Sequence, residues 1–180
     1  MIHLIRHPPV AVPAGTCYGR SDVALRESPD ALGEALRRRL PESFALVSSP
    51  LSRSLDLART LGEPQLDARL MEIDFGSWEL RLFDDIDREA IDAWAADPLH
   101  FAAPGGESVA AMALRARSAL IDALENNNGP LVIVSHGGPL RALVGYLQSW
   151  PENAWMHHAF GHGELQSLPR PEAFRKILRQ

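Results

Sequence analysis

Three short polar sequences in this chain each follow a run of apolar residues. They are Arg6-His7, Ser48-Ser49 and Ser135-His136. Histidine serves as a nucleophile or a general acid and base near neutral pH, and arginine binds phosphate or carboxylate oxygens through paired hydrogen bonds. If the apolar runs are neighbouring parallel strands, their carboxyl ends meet at one edge of the sheet, where ligands bind in open α/β sheets. The pattern therefore indicates an anion-binding site at these strand ends.

Arg53 supplies a second guanidinium close to the same place. It lies two residues past Leu51, early in the helix predicted after the second apolar run, so it can point back toward the strand ends. The arginine charges should hold the nearby histidines in the neutral form. A neutral imidazole can attack phosphorus through one ring nitrogen while the other donates a hydrogen bond to a backbone carbonyl. The second histidine would then donate to the phosphoryl oxygens.

Apolar runs and amphipathic segments alternate along the chain. Strands are predicted at Ile2–Ile5, Phe44–Ser48, Leu66–Leu70, Leu131–Ser135 and Glu164–Leu168, and helices at Pro29–Leu40, Leu51–Leu61, Asp84–Ala96, Val109–Glu125 and Pro139–Leu147. Ser108 is placed to cap the long helix. This alternation predicts an α/β fold with a mostly parallel central sheet.

The bulk composition excludes several classes of protein. The chain has 180 residues, which suits a single domain, and a net charge of −5. An acidic surface argues against nucleic acid or an anionic membrane as the main partner. The single cysteine, Cys17, rules out an intrachain disulfide and is expected to be a small packed side chain. With neither a signal-peptide pattern nor a long apolar run, the sequence predicts a cytoplasmic protein.

Five motifs occur in a fixed order along residues 1–145. They are Leu4-Ile5-Arg6-His7, Ser48-Ser49-Pro50-Leu51-Ser52-Arg53, Glu72-Ile73-Asp74-Phe75-Gly76, Pro104-Gly105-Gly106-Glu107-Ser108 and Val134-Ser135-His136-Gly137-Gly138. In this order they resemble the histidine phosphatase superfamily, the phosphoglycerate-mutase-like family. The sequence RHPPV…CYGRSD is most similar to the α-ribazole-phosphatase-like branch of this superfamily. The resemblance implies one domain over residues 1–180 with three layers, α/β/α, and a small helical lid at about 77–104.

The resemblance also implies a role for each matching residue. His7 matches the phosphorylated nucleophile, Arg6, Arg53 and His136 match the rest of the phosphate pocket, Glu72 matches the general acid, and Arg20 lies where the family has a polar residue near the phosphate. The implied reaction runs in two in-line steps through a phosphohistidine. No metal and no cofactor is implied, because arginine and histidine supply the positive charge.

Two departures from the family pattern affect these roles. Pro8 stands where the family commonly has glycine, and Pro9 and Val10 replace its usual polar residues, so the loop after His7 is stiffer. The Trp-Glu-Gly end of the acid segment reads Trp78-Glu79-Leu80, which leaves Glu79 as a second candidate for the proton donor. Asp74 is a third candidate.

The resemblance leaves several functions open. We expect a metal-independent phosphomonoesterase acting on a small organic phosphate, with α-ribazole phosphate as one candidate substrate. The alternatives are phosphoglycerate mutase-type phosphoryl transfer, a protein phosphohistidine phosphatase, and a binding protein with a degenerate site. The chain is shorter than the family's mutases, which favours hydrolysis, and it keeps His7, Arg53 and His136, which a degenerate site should have lost. The sequence leaves the oligomeric state open, with a homodimer as one option.

Some polar residues have a plainer interpretation. His157, His158 and His162 resemble a metal tract, but their spacing matches no closed metal site, so a solvated loop or the edge of a substrate site is expected. Arg115 and Arg117 are expected to be ordinary charges on a helix face. Glu107 and Ser108 are expected to shape a loop and a helix cap, with a supporting role behind the site.

Overall fold

A computed structural model describes residues 1–151 and 154–172 of the chain. Within these residues there are five strands and five α-helices: β1 Ile2–Arg6, α1 Asp30–Arg37, β2 Ala45–Ser48, α2 Ser52–Leu61, β3 Gln65–Leu66, α3 Arg88–Ala96, α4 Val109–Asn126, β4 Leu131–Ser135, α5 Gly137–Leu147 and β5 Leu165–Leu168. They form one sheet in the order β3-β2-β4-β1-β5. Only the β1–β5 pairing is antiparallel.

The two faces of the sheet are covered by different helix pairs. Successive strand residues point to opposite faces, and here one set (Ile2, Leu4, Leu131, Ile133) packs with α4 and α5 while the other (Ile5, Val132, Val134) packs with α1 and α2. All seven side chains are fully buried. The predicted three-layer α/β/α arrangement is therefore confirmed. No helix in the described part of the chain is both long and apolar enough to cross a bilayer.

The helix that follows β4 begins earlier than the sequence pattern predicts. Helix α5 starts at Gly137 rather than at Pro139. Proline is tolerated in this first turn because the N–H groups there have no partner within the helix. The early start places the Gly137 and Gly138 N–H groups, which have no partner within the helix, directly after His136. The predicted cap of α4 is confirmed, since Ser108 Oγ accepts a hydrogen bond from the Ala111 N–H at 3.2 Å.

Two predicted elements are shorter in the structure. The prediction of a strand over Leu66–Leu70 is wrong beyond Leu66, because the Asp67 carboxylate accepts from the Arg69 N–H and starts a 3₁₀ turn at Ala68–Leu70. The helix predicted from Asp84 begins at Arg88, where the Asp87 side chain caps it by accepting from Ala90 N–H. In both cases a local aspartate hydrogen bond overrides the apolar periodicity.

A small apolar cluster lies under the segment between β3 and α4. Cys17, Trp78, Ile86 and Ala103 are buried together, and the ring of Phe101 stacks on that of Trp78 at 5.6 Å. Burial raises the pKa of the Cys17 thiol to about 12, so the thiol stays neutral. The interpretation of Cys17 as a packed side chain is confirmed.

The packing of α4 on the sheet predicts a stability difference between two leucines of that helix. Leu120 is fully buried against the strands, whereas Leu114 is 66% exposed. We expect Leu120→Ala to lower the free energy of unfolding by roughly 2–5 kcal/mol, because it leaves a cavity. The control Leu114→Ala should change it by less than about 0.5 kcal/mol. Urea denaturation of both variants measures the difference, and equal losses would contradict the layer assignment.

Candidate active site

The ends of β1 and β4 bring two of the predicted site histidines together. Arg6 pairs with Ser135 in the parallel register of these strands, so the next residues, His7 and His136, leave the same edge of the sheet. Their ring centroids are 5.1 Å apart. Both side chains are buried, at 2% and 0% exposure. The expected adjacency of the strands is therefore confirmed.

The surroundings of His7 fix both its tautomer and its charge. Its Nδ1 lies 2.7 Å from the Pro8 carbonyl oxygen, which can only accept, so Nδ1 carries the proton. Burial, and then the charges of Arg53 and Arg6, lower the pKa of His7 to about 3, although the Pro8 hydrogen bond opposes them. Burial thus lowers the pKa of His7 more than the arginine charges do, although the sequence pattern predicts the effect from those charges alone. The result is a neutral ring whose Nε2 has no hydrogen-bond partner among the described residues.

His136 has protein partners at both ring nitrogens. Arg53 Nε donates to Nδ1 at 3.2 Å, which leaves the proton of a neutral ring on Nε2. That Nε2–H donates to Ser49 Oγ at 2.8 Å. Burial, followed by the Arg53 charge, lowers the pKa of His136 well below its ordinary value. The Nε2–H must therefore leave Ser49 before it can reach a phosphoryl oxygen, as the role predicted for His136 requires.

Two guanidinium groups flank the histidines, that of Arg53 fully buried and that of Arg6 partly buried. Arg53 is fully buried and donates to the Ser21 carbonyl at 2.8 Å and to the Gly19 carbonyl at 2.5 Å. Arg6 donates to the Phe160 carbonyl at 2.6 Å, and its Nε has no hydrogen-bond partner in the described part of the chain. Neither cation forms an ion pair with any described carboxylate. Because a buried unpaired charge is costly, this arrangement is suited to bind an anion.

His7, His136, Arg6 and Arg53 form a cationic hollow. Glu72 lies between this hollow and an apolar cleft. Its Oε2 accepts from the Gly138 N–H at 3.2 Å, at the start of α5, and its Oε1 accepts from the Ile73 N–H at 3.1 Å. A Cβ at position 138 would lie 2.3 Å from Oε1, so this approach needs glycine. The cleft has a volume of about 330 Å³, and its lining includes Tyr18, Glu72, Phe75, Trp94, Met112 and Trp155. A carboxyl group at this junction can exchange a proton with the leaving group of a bound phosphate ester.

Glu79, the rival candidate for the proton donor, is committed to holding a loop. Its oxygens accept from the backbone N–H groups of Gly19, Arg20, Ser21 and Phe75 at 2.8–3.1 Å. Burial acts to raise its pKa, but the hydrogen bonds from these residues outweigh burial and lower it. A carboxylate held ionised in this way is a poor proton donor, so the geometry favours Glu72.

Arg20 already has a carboxylate partner in the structure. Its guanidinium forms an ion pair with Asp74 at 3.2 Å, and its side chain is 42% exposed. The same pair occupies Asp74, whose other oxygen accepts from the Gly76 N–H, so this third candidate acid also has a local structural role. Contact between Arg20 and a bound phosphate stays a prediction.

Arg115 carries a structural role that the sequence pattern does not predict. It donates to the carbonyls of Met71 at 2.6 Å and Glu72 at 2.9 Å, and it pairs with Glu107 at 2.5 Å. Glu107 also accepts from the Asp74 N–H. The interpretation of Arg115 as an ordinary surface charge is wrong, because it clamps the loop that carries Glu72. The signal in the sequence is its position on α4, about two turns past Glu107 and within reach of it.

The three C-terminal histidines have different surroundings. The His162 ring centroid lies 5.3 Å from that of His7, which places it at the edge of the site. His158 Nε2 lies 3.0 Å from Gln166 Oε1, and His157 is exposed. Within the described residues, no cluster of three or more histidine, cysteine or acidic side chains could hold a metal ion.

Comparison with known proteins agrees with this geometry. The model of the histidine phosphatase superfamily (branch 1) matches residues 2–178. The chain belongs to this superfamily. A glucosyl-3-phosphoglycerate phosphatase of Mycolicibacterium vanbaalenii is 31% identical over 172 residues, which cover 84% of this chain and 76% of the relative. An Escherichia coli adenosylcobalamin/alpha-ribazole phosphatase is 31% identical over 145 residues, covering 75% and 71% of the two chains.

A solved structure shows that the fold is shared as well. The native mycobacterial glucosyl-3-phosphoglycerate phosphatase superposes with a TM-score of 0.79 at 28% identity, covering 91% of this chain and 87% of that one. The chain is thus a phosphoric monoester hydrolase of the phosphoglycerate-mutase-like fold. The α-ribazole branch is only one of several to which the chain is similar. The comparisons therefore do not favour this branch, which the sequence RHPPV…CYGRSD predicts, over the others.

The low pKa of His7 predicts a particular dependence of stability on pH. The pKa is about 3 in the folded protein against an ordinary 6.5, so on acidification the unfolded chain takes up the proton first. The stabilisation is fully present above about pH 6.5 and is lost as the pH falls toward 3. Between pH 7 and pH 5, wild type should lose roughly 1–2 kcal/mol more unfolding free energy than His7→Gln. Urea denaturation at both pH values measures this, and equal losses would contradict it.

The unpaired guanidinium groups predict stabilisation by inorganic phosphate. At a phosphate concentration 100 times the Kd, binding adds about 2.7 kcal/mol to the stability of the folded state. We expect phosphate to raise the Tm of wild type, and Arg53→Met to abolish the rise. Arg59→Met, an exposed change on the same helix, serves as the matched control and should keep it. Circular dichroism checks that Arg53→Met is folded, and an unchanged phosphate effect in that folded variant would contradict the site.

Proposed function

We propose that the protein is a phosphomonoesterase that transfers the phosphoryl group of a small organic phosphate to His7 and then to water. The observation that carries this proposal is the neutral His7 ring, with its proton fixed on Nδ1 by the Pro8 carbonyl. Its Nε2 lone pair is left available beside one fully buried and one partly buried guanidinium group, neither of which has an ion-pair partner among the described residues. A nucleophile of this kind needs both the lone pair and positive charge around the phosphoryl oxygens.

In the first step, His7 Nε2 attacks phosphorus in line with the leaving oxygen. A phosphorus–nitrogen bond forms as the phosphorus–oxygen ester bond breaks. Arg6 and Arg53 offset the charge on the phosphoryl oxygens, and Glu72, protonated for this step, gives its proton to the leaving alkoxide. The positive charge that develops on the imidazole is stabilised by the hydrogen bond from Nδ1 to the Pro8 carbonyl.

In the second step, water cleaves the phosphohistidine. Glu72, now a carboxylate, removes a proton from the water as its oxygen attacks phosphorus, and the phosphorus–nitrogen bond breaks. His7 returns to its neutral form and inorganic phosphate leaves. The two guanidinium groups supply the positive charge in both steps, so we propose that the reaction needs no metal, and activity should survive treatment with EDTA.

The apolar cleft supports a small substrate with an apolar part. Trp94 and Pro98 line it, and both belong to the segment at 77–104, which we propose acts as a lid within the single domain. Aromatic side chains favour a leaving group with a ring or other apolar surface. A lid wall of this kind also fits a small molecule better than a phosphohistidine on a protein surface. The substrates of the two named relatives, glucosyl-3-phosphoglycerate and α-ribazole phosphate, are therefore the first candidates.

The nucleophile prediction is tested by trapping the intermediate. We expect wild type, mixed rapidly with a substrate and quenched in alkali, to show an acid-labile phosphohistidine in phosphorus NMR spectra. His7→Ala should show no phosphoenzyme and no turnover, while His100→Ala, an exposed change, should behave as wild type. Release of inorganic phosphate is assayed beside isomerisation of 3-phosphoglycerate. Isomerisation without phosphate release would favour the mutase alternative, and wild-type turnover without a phosphohistidine would overturn the proposal.

The two glutamates are separated by their dependence on the leaving group. In kcat/KM, which reports the phosphorylation of His7 and not the later hydrolysis that Glu72 also assists, Glu72→Gln should slow phosphates of simple alcohols by roughly 100-fold or more. p-Nitrophenyl phosphate, whose leaving group needs little protonation, should be slowed far less in the same quantity. Glu79→Gln weakens the Gly19–Ser21 loop and should slow both substrates alike while lowering the Tm. Equal slowing of both substrates by Glu72→Gln would contradict its role as the acid.

A further inference from the structure

Two imidazoles lie beside His7, and they differ in which hydrogen bonds they already make. His136 uses one ring nitrogen to accept from Arg53 and the other to donate to Ser49. His162 lies at a similar distance from His7, with ring centroids 5.3 Å apart, and its ring nitrogens make no hydrogen bond to any described residue. His162 can therefore donate a hydrogen bond to a ligand next to the nucleophile without losing another, whereas His136 must first break its hydrogen bond to Ser49.

The position of His162 is fixed by the backbone at the end of β1. The Gly163 N–H lies 3.1 Å from the Arg6 carbonyl and 3.2 Å from the His7 carbonyl. The Arg6 N–H in turn donates to the Glu164 carbonyl. Gly163 has a φ of +71°, a left-handed conformation that favours glycine and makes this turn possible. The turn that carries His162 is thus bonded directly to the residues that form the phosphate hollow.

Partial burial of the ring, together with nearby positive charge, keeps His162 neutral, although the residue as a whole is exposed. Burial, followed by the positive charges of Arg6 and Arg26, lowers its pKa to about 4. A neutral imidazole carries one N–H donor and one acceptor. Together with Pro8, Pro9 and Arg26, His162 lines a second cleft of about 410 Å³. The His162 ring thus lies beside the His7 ring and also borders an open cleft, so its N–H is accessible to a ligand bound at His7.

We propose that His162 is a further catalytic residue, which donates its ring N–H to an oxygen of the phosphoryl group as that group is transferred to and from His7. The proposal rests on the proposed function, since it assigns a donor for the same reaction. The sequence pattern places site residues at the ends of β1, β2 and β4, whereas His162 lies in the turn before β5. Such a donor lowers the barrier if its bond is stronger in the transition state than in the ground state.

Three variants separate a donor from a packing role. His162→Ala should lower kcat by on the order of 10- to 100-fold, as for loss of one oxyanion donor, with little change in KM. His162→Gln keeps an N–H donor of similar reach and should recover much of the loss. His157→Ala is the matched control, an exposed histidine of the same tract, and should have wild-type kinetics. Unaltered kcat in His162→Ala, or no recovery in His162→Gln, would overturn the proposal.

Vanadate provides a readout that simple packing would not change. It adopts the five-coordinate geometry of the transferred phosphoryl group, whereas inorganic phosphate resembles the ground state. His162→Ala should weaken inhibition by vanadate at least 10-fold more than inhibition by phosphate. Equal weakening of both would show that His162 shapes the hollow without acting on the transition state, and would overturn the proposal.

The same samples distinguish failure of this inference from failure of the proposed function. If wild type forms phosphohistidine on His7 and His162→Ala forms and hydrolyses it at the wild-type rate, only the role of His162 is lost. If wild type turns over substrate without a phosphohistidine, the proposed function falls, and the role of His162 falls with it.

Discussion

Two guanidinium groups, one fully and one partly buried, have no carboxylate partner in the described part of the chain, and they impose the main constraint on this structure. Charges removed from water cost on the order of several kcal/mol each unless they are paired. Arg53 is fully buried, and its three hydrogen bonds go to neutral acceptors, namely two backbone carbonyls and His136. The described part of the protein therefore leaves a positive charge that an external anion can offset. The neutral histidines follow from this, since burial beside such charge disfavours a further cation.

The loop from Gly19 to Ser21 shows how far this constraint extends. Its carbonyls face Arg53, while its N–H groups donate to Glu79. Glu79 thus holds the backbone so that its carbonyl dipoles solvate the guanidinium, without bringing a carboxylate into contact with it. A direct ion pair would occupy the donors that bind phosphate. Arg115 and Glu107 hold the loop of Glu72 in a similar way, so two segments of the site are fixed by charged side chains that are not among its proposed phosphate-binding residues.

The sequence predicts the elements of this site better than its contacts. The strand ends at His7 and His136 follow from apolar runs that are long enough to be unambiguous, and the three-layer fold follows from their alternation with helices. The short element after Leu66 does not follow from the pattern, because a single hydrogen bond from the Arg69 N–H to the Asp67 carboxylate decides between a strand and a 3₁₀ turn. The roles of Arg115 and His162 depend on tertiary contacts between segments about 45 and 155 residues apart, which no local pattern encodes.

The proline after the nucleophile shows why a departure from the family pattern can preserve the chemistry. The acceptor for His7 Nδ1 is a backbone carbonyl, which every residue supplies, so the site does not depend on the identity of residue 8 for this bond. Proline also confines the preceding residue to extended conformations. Pro8 thereby restricts the backbone of His7 itself and reduces the entropy lost when the ring is held against its acceptor. A stiffer loop is compatible with the fixed tautomer on which phosphoryl transfer through Nε2 depends.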